Sequence, residues 1–202
     1  LYVDGSKITS TNTALNAGSY NGMINQTTPL IIGKTNNVST TEDVLVSGLS
    51  NTVNVVKQSS ITGESNQVSG TTLGAIVGGK SNQETGGINN IISGESNQST
   101  NAKRTILSGK SNILSGGESS VVFGESNQGT TNNKSLIGGS QNIPLRNEAA
   151  VIVGSQNDVL DTTNTIVSGK DNTVDDITES AVFGTTNDIS GVTTSTIVSG
   201  LS

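Results

Sequence analysis

The chain has no cysteine, no histidine and no tryptophan, and its 202 residues include only two phenylalanines, two tyrosines and two prolines. Without cysteine there is no disulfide and no thiolate chemistry, which suits a protein exported unfolded but assigns no compartment. Without histidine or cysteine the usual nucleophile–base pairs are missing, and no carboxylate pair is placed for glycoside hydrolysis, so the expected function is non-enzymatic and needs no cofactor. An ordinary domain of this length fills its core with aromatics; this one must use a thin aliphatic core. There is no basic stripe, the net charge is −6, and aromatics for base stacking are almost lacking, which excludes nucleic acid as a partner. No apolar run is long enough to span a membrane as a helix, and no signal peptide is visible. The charged fraction is only 13%, and Val, Ile and Leu recur too regularly for disorder.

What the sequence does have is a period. "VGGKSNQ" (77–83), "ISGESNQ" (92–98), "LSGKSNI" (107–113) and "VFGESNQ" (122–128) repeat one pattern. Its glycine falls at Gly18, Gly33, Gly48, Gly63, Gly79, Gly94, Gly109, Gly124, Gly139, Gly154, Gly169, Gly184 and Gly200, in steps of 15 with two of 16. Three residues after each of the first twelve comes an asparagine, from Asn21 to Asn187, which uses half of the 24 asparagines at one position. Two residues before the glycine the chain is aliphatic from Ile31 onward, and a second, less regular aliphatic site follows five residues after it.

A 15-residue period is too short for helical hairpins and fits two short strands and their turns per coil. The apolar residues are mostly β-branched, as strands prefer. The glycine ends the first strand and the asparagine follows the bend, where its amide can cap backbone groups and bond its copies along the axis. Gly63, Asn66, Gly79, Asn82, Gly94, Asn97, Gly109, Asn112, Gly124 and Asn127 are therefore read as structural turn residues, not as a phosphate cradle. The reading is an all-β parallel β-solenoid with a lead-in or cap over residues 1–17 and about 13 coils over 18–202. It breaks off inside a repeat, which predicts a piece of a longer chain with any export signal or anchor outside it. The degenerate N-terminal stretch holds Tyr2 and Tyr20 and is expected to cap the stack.

Adjacent strand residues point to opposite faces, yet the positions two and three before the glycine are both apolar. The first strand is thus greasy inside and out, and the pattern predicts that another copy of the chain covers the outer stripe. The residue after the glycine runs Glu64, Lys80, Glu95, Lys110, Glu125, an alternating ion ladder that fixes register more than it adds stability. Asp158, Asp161, Asp171, Asp175, Asp176, Glu179 and Asp188 make an acidic end. It has no calcium-loop spacing and is read as a solvated face, so no metal site is assigned. Phe123 and Phe183 occupy a position that is usually small, and "NIPLRNEA" (142–149) breaks the pattern. Phe123, Ile143, Leu145, Arg146 and Phe183 are the candidate receptor-binding residues, because apolar anchors with an arginine suit interfaces.

"AIVGGKSNQ" (75–83), "IISGESNQ" (91–98), "SLIGGSQN" (135–142) and the pairs Ser69-Gly70, Ser115-Gly116 and Ser190-Gly191 resemble the head domains of trimeric autotransporter adhesins, the YadA-like group. The resemblance runs from about Gly18 to the C-terminus. It implies a left-handed parallel β-roll, a homotrimer, a bacterial cell-surface location on an outer-membrane anchor, and adhesion to a host receptor, with CEACAM proteins one candidate, or to extracellular matrix proteins. The chain departs from that family in its asparagine, where other heads use Ser or Ala, and in lacking stalk heptads. Two alternatives share the fold logic, an ice-binding β-solenoid and a phage-fibre structural trimer. An ice binder is expected to hold one Thr column through many coils, and the pairs Thr71-Thr72, Thr130-Thr131, Thr162-Thr163 and Thr193-Thr194 do not keep one register.

Overall fold

The structure is a computed structural model. It describes residues 2–3, 6–7, 15–19, 21–27, 29–70, 72–146, 148–160, 163–170, 173–175, 177–186, 188–191, 193–195 and 197–200. These residues form an all-β parallel solenoid, and none of them is helical. They divide into two compact units, Leu1–Asn101 and Ala102–Ser202.

In the first unit the coils stack through two parallel sheets. One contains Leu15–Ser19, Leu30–Lys34, Leu45–Leu49, Ser60–Glu64, Ile76–Lys80 and Ile91–Glu95 in sequence order. The other contains Gly22–Thr27, Asn37–Glu42, Thr52–Lys57, Gln67–Ser69, Gln83–Thr85 and Gln98–Thr100. Pairing is in register with the repeat, so glycine meets glycine and Lys80 meets Glu64 and Glu95. A short antiparallel pair, Tyr2–Val3 with Ser6–Lys7, precedes the stack. Pairing within it starts at Leu15, opposite Leu30. The side chain of Tyr2 and all of Tyr20 lie outside the described residues.

The second unit repeats the scheme. Its first-arm sheet is Ile106–Lys110, Val121–Glu125, Leu136–Ser140, Val151–Ser155, Ile166–Lys170, Ala181–Thr185 and Ile197–Val198. Its second-arm sheet runs from Ile113–Ser115 through Gln128–Thr130, Ile143–Leu145, Asp158–Leu160 and Thr173–Val174 to Asp188–Ile189. A third, narrower contact line joins Lys103, Glu118, Asn133, Glu148, Thr163 and Thr178 by single bridges.

A coil turns three corners, and the described corners take residues with left-handed φ. In one coil these are Ser126 (φ 57°), Thr131 (φ 52°) and Lys134 (φ 50°). A non-glycine residue there costs about 1 kcal/mol or more. What offsets the cost is a bond to the preceding coil: the N–H groups of Ser126, Thr131 and Lys134 donate to the carbonyls of Lys110, Ser115 and Glu118 at 2.9, 2.8 and 2.8 Å. The repeat glycine is a stricter case. Gly124 has φ 110°, and a Cβ on it would drive into the backbone oxygen of Gly139 in the next coil.

The interior of the first arm is one aliphatic column, thin as the composition requires. Ile31, Val46, Ile61, Val77 and Ile92 in the first unit, and Leu107, Val122, Ile137, Ile152, Val167 and Val182 in the second, are all buried. Beside them runs a column of buried asparagine. Asn127 Nδ2 reaches Asn112 Oδ1 (2.9 Å), its own coil at Phe123 O (3.0 Å) and the next coil at Gly139 O (3.0 Å). Its Oδ1 accepts from the backbone N–H of Asn142 (3.0 Å) and from Asn142 Nδ2 (2.8 Å). The same pattern holds at Asn36, Asn51, Asn66 and Asn82 in the first unit. Both ends of each amide are used, so the ladder satisfies buried backbone groups that a sharp turn would otherwise strand.

The second-arm column breaks the aliphatic rule at Glu84, Ser99 and Gly129, all buried. Glu84 stands between Val68 and Ser99 in the second-arm column and is fully buried. Its carboxylate takes the space where Gly87 has no side chain, and Asn90 Nδ2 donates to its Oε1 at 2.9 Å. Burial pushes the carboxyl above the usual carboxylate range, while Ser99, Asn90 and the Gly87 N–H pull it partly back. Among the described residues neither Glu84 Oε2 nor Ser99 Oγ has a partner at full hydrogen-bond geometry, so the Ser99 hydroxyl offsets the burial only in part.

Two outcomes follow from this packing. Asn127→Ala strands the Phe123 and Gly139 carbonyls and the Asn142 N–H, so denaturant unfolding should show a loss of at least about 3 kcal/mol. Exposed Gln128→Ala should stay within about 0.5 kcal/mol, and equal effects would contradict the ladder's role. For Glu84 the folded state holds its proton to higher pH than the unfolded chain. Its contribution is therefore full below the ordinary carboxylate range and is lost as pH rises through the folded-state value. The melting temperature of Glu84→Gln relative to the native chain should rise between about pH 4 and pH 7, and a pH-independent difference would refute it.

Candidate functional site: an uncharged outer face

Strand alternation sends the residues three and one before each glycine outward while the residue between them fills the core. On the first-arm sheet of the second unit, the outer column three before the glycine is Ile106, Val121, Leu136, Val151, Ile166, Ala181 and Ile197. The column one before is Ser108, Phe123, Gly138, Val153, Ser168 and Phe183. No charged residue stands in either column. Ile106, Ile166, Phe123, Val153 and Phe183 are about two-fifths exposed in this chain, from 37% to 44%. Unbroken register over these coils places equivalent groups about 4.8 Å apart along the axis and neighbouring outer groups about 7 Å apart along each strand. The result is a regular, mostly apolar plane with serine hydroxyls set into it. The second-arm face of the same unit differs, because Asp158 and Asp188 interrupt its exposed column.

The five residues singled out from the sequence do not form one site. Phe123 and Phe183 project from the first-arm face, in the column of Ser108, Gly138 and Ser168. Ile143 and Leu145 belong to a second-arm strand, with Pro144 buried between them. Arg146 occupies a corner at φ 51°. Departure from the repeat groups residues that the coil sends to different sides.

The alternating column lies along the edge of the first-arm sheets. Lys80 Nζ is 3.8 Å from Glu64 Oε2 and in register with Glu95, and Lys110 is in register with Glu125. Two tighter ion pairs stand elsewhere: Lys57 with Glu42 (2.7 Å) and Arg104 with Glu118. Both partners of each pair lie 15 or 14 residues apart, so the period itself carried the signal. The hydrogen bond and charge of Glu42 hold the Lys57 ammonium above its ordinary range. All these groups are exposed, and such pairs contribute at most about 1 kcal/mol. Of the acidic end, Asp161, Asp171 and Asp176 lie outside the described residues. Among the described residues no three acidic side chains converge as metal ligands would.

Chemically the two outer columns offer methyl, methylene and phenyl groups with spaced hydroxyls, and the exposed charges Lys110, Glu125 and Lys170 stand beyond the glycine at the edge of the same sheet. The columns themselves leave neighbouring water without the strongly bound shells that charges impose, and their repeat can order that water along two directions.

The comparisons bear on the second unit above all. No curated protein sequence matches the chain. The profile of a family described as "Grass antifreeze beta roll" matches residues 98–200, just over half of the chain. The match supports the β-roll architecture and favours the ice-binding alternative over the adhesin head that the turn motif resembles. On the strength of that match the chain belongs to the grass antifreeze beta roll family.

Proposed function

We propose that the chain binds ice, and that the first-arm face of its second unit is the surface that meets the crystal. The observation that carries the reading is the pair of charge-free, in-register outer columns from Ile106 to Ile197, which lie inside the segment matched by the antifreeze family. Adsorption to ice demands that many weak contacts be made at once by groups fixed relative to one another. A parallel stack pinned by backbone and asparagine bonds supplies that rigidity without any ordering cost at the moment of binding. The threonine column expected of an ice binder is replaced here by aliphatic residues with serine. The same exposed stripe that suggested a covering second copy of the chain serves, in this reading, as the face kept free for ordered water.

The test is thermal hysteresis with ice-affinity partitioning. The native chain should depress the freezing point below the melting point and enter a growing ice front. Val151→Lys places an ammonium in the centre of the plane and should reduce hysteresis by about tenfold at unchanged circular dichroism, whereas Lys134→Gln, at a corner off the plane, should leave it unchanged. A native chain without hysteresis or ice affinity would sink the reading. An ice-active chain indifferent to Val151→Lys would move the surface elsewhere.

A further inference from the structure

The outer plane carries an unusual pair. Phe123 and Gly138 are register partners in adjacent coils, both one residue before the repeat glycine. Along this column Ser108 and Ser168 are half-buried and Val153 is exposed, yet Gly138 is buried. The covering group is the phenyl ring: a Cβ built on Gly138 would run into Cζ, Cε1 and Cε2 of Phe123. The far edge of the ring therefore rests over the Gly138 backbone, so the side chain lies along the stack. Gly138 does not have a positive φ, so its backbone does not demand glycine. Its lack of a side chain is used for space. Gly78 in the first unit is a useful contrast, since a Cβ there would sit 3.4 Å from Thr62 Oγ1, an ordinary approach.

We infer that Gly138 is the seat that lays Phe123 flat, and that this levelled pair is a positioning element of the ice-contacting plane. The inference rests on the ice-binding reading. Phe123 is, with Phe183, the largest side chain on the face. Standing, it would hold the neighbouring coils off a flat crystal; lying in the notch, it keeps them in contact and adds apolar area. Distance sensitivity is steep, because a gap of only about 0.5–1 Å forfeits a quarter to a half of a dispersion contact. A bulky residue is thus tolerated on a planar binding face by a glycine one coil later, a compensation between two positions 15 residues apart.

The experiment compares the full chain with Gly138→Ser, Gly138→Ala, Phe123→Ser, the Phe123→Ser/Gly138→Ser double variant and Gly78→Ser. Hysteresis and ice partitioning are measured at matched concentration, with melting curves and the ring-current shift of the Gly138 Hα protons recorded alongside. Gly138→Ser should lower hysteresis by about fivefold or more by lifting the ring, with Gly138→Ala as the milder probe should the serine variant not fold. The double variant, which recreates the serines of Ser108 and Ser168, should return to within about twofold of the native chain, and Gly78→Ser should be silent. In the native chain the Gly138 Hα signals should be shifted by the ring, and Phe123→Ser should abolish the shift. Native-level activity in both glycine variants, or a double variant no better than Gly138→Ser alone, would overturn the inference while leaving an ice-active native chain as evidence for the reading beneath it. A native chain inactive toward ice would remove both.

Discussion

The whole structure depends on one constraint: each coil must lie on its predecessor in register, glycine on glycine and asparagine on asparagine. The backbone at the repeat glycine approaches the next coil so closely that no side chain fits, and the asparagine amide bridges coils on both sides of its own. Three left-handed corners per coil are each unfavourable alone. They persist because corner N–H groups such as those of Ser126, Thr131, Lys134, Gln141, Arg146 and Ala149 find a carbonyl one coil back. Stability is thus collective, as in other stacked repeats, and little of it comes from a large apolar core. That explains how so few aromatics suffice, and why polar residues such as Asn90, Ser120 and Thr165 can sit inside the coil.

Much of this was readable from sequence because a strict period reports directly on stacking. The inward aliphatic positions, the turn glycine and the turn asparagine each recur in phase, and strand alternation then dictates which residues face out. Other features left no such trace. Some corners carry Gly or Asn, which favour a left-handed φ, as at Gly70, Gly86, Gly116, Asn89 and Asn101, but others carry Ser, Thr, Gln, Lys or Arg, which do not mark one, and Arg146, read from the sequence as an interface arginine, occupies such a bend. Glu84 stands where Val68 stands one coil earlier, and only the coincidence of Gly87 and Asn90 in space makes its burial tolerable. Phe123 and Ile143 looked like members of one patch because the period alone does not say on which side of the coil each arm lies.

The functional reading turned on the same limitation. A Gly-x-x-Asn turn specifies how coils stack and says nothing about what the stack touches. Resemblance to an adhesin head and membership of an antifreeze roll family therefore rest on overlapping residues. Apolar residues on both strand faces were evident from the outset, but such a stripe suits a second protein chain and a layer of ordered water equally. The proposed ice-binding reading draws instead on the character of the surface, two outer columns without charge that repeat in two directions. Irregular pockets with a central arginine, which protein partners favour, are not what this face offers.

The measurement closest to the central constraint is hydrogen exchange of the asparagine column by NMR. If register stacking holds the fold, the backbone N–H of Asn127 and Asn142 and their side-chain amides will exchange at least about a thousandfold more slowly than those of an unstructured peptide, and in step with one another. Exchange near the free-peptide rate at these amides, in a chain whose circular dichroism is still that of β-structure, would contradict the account.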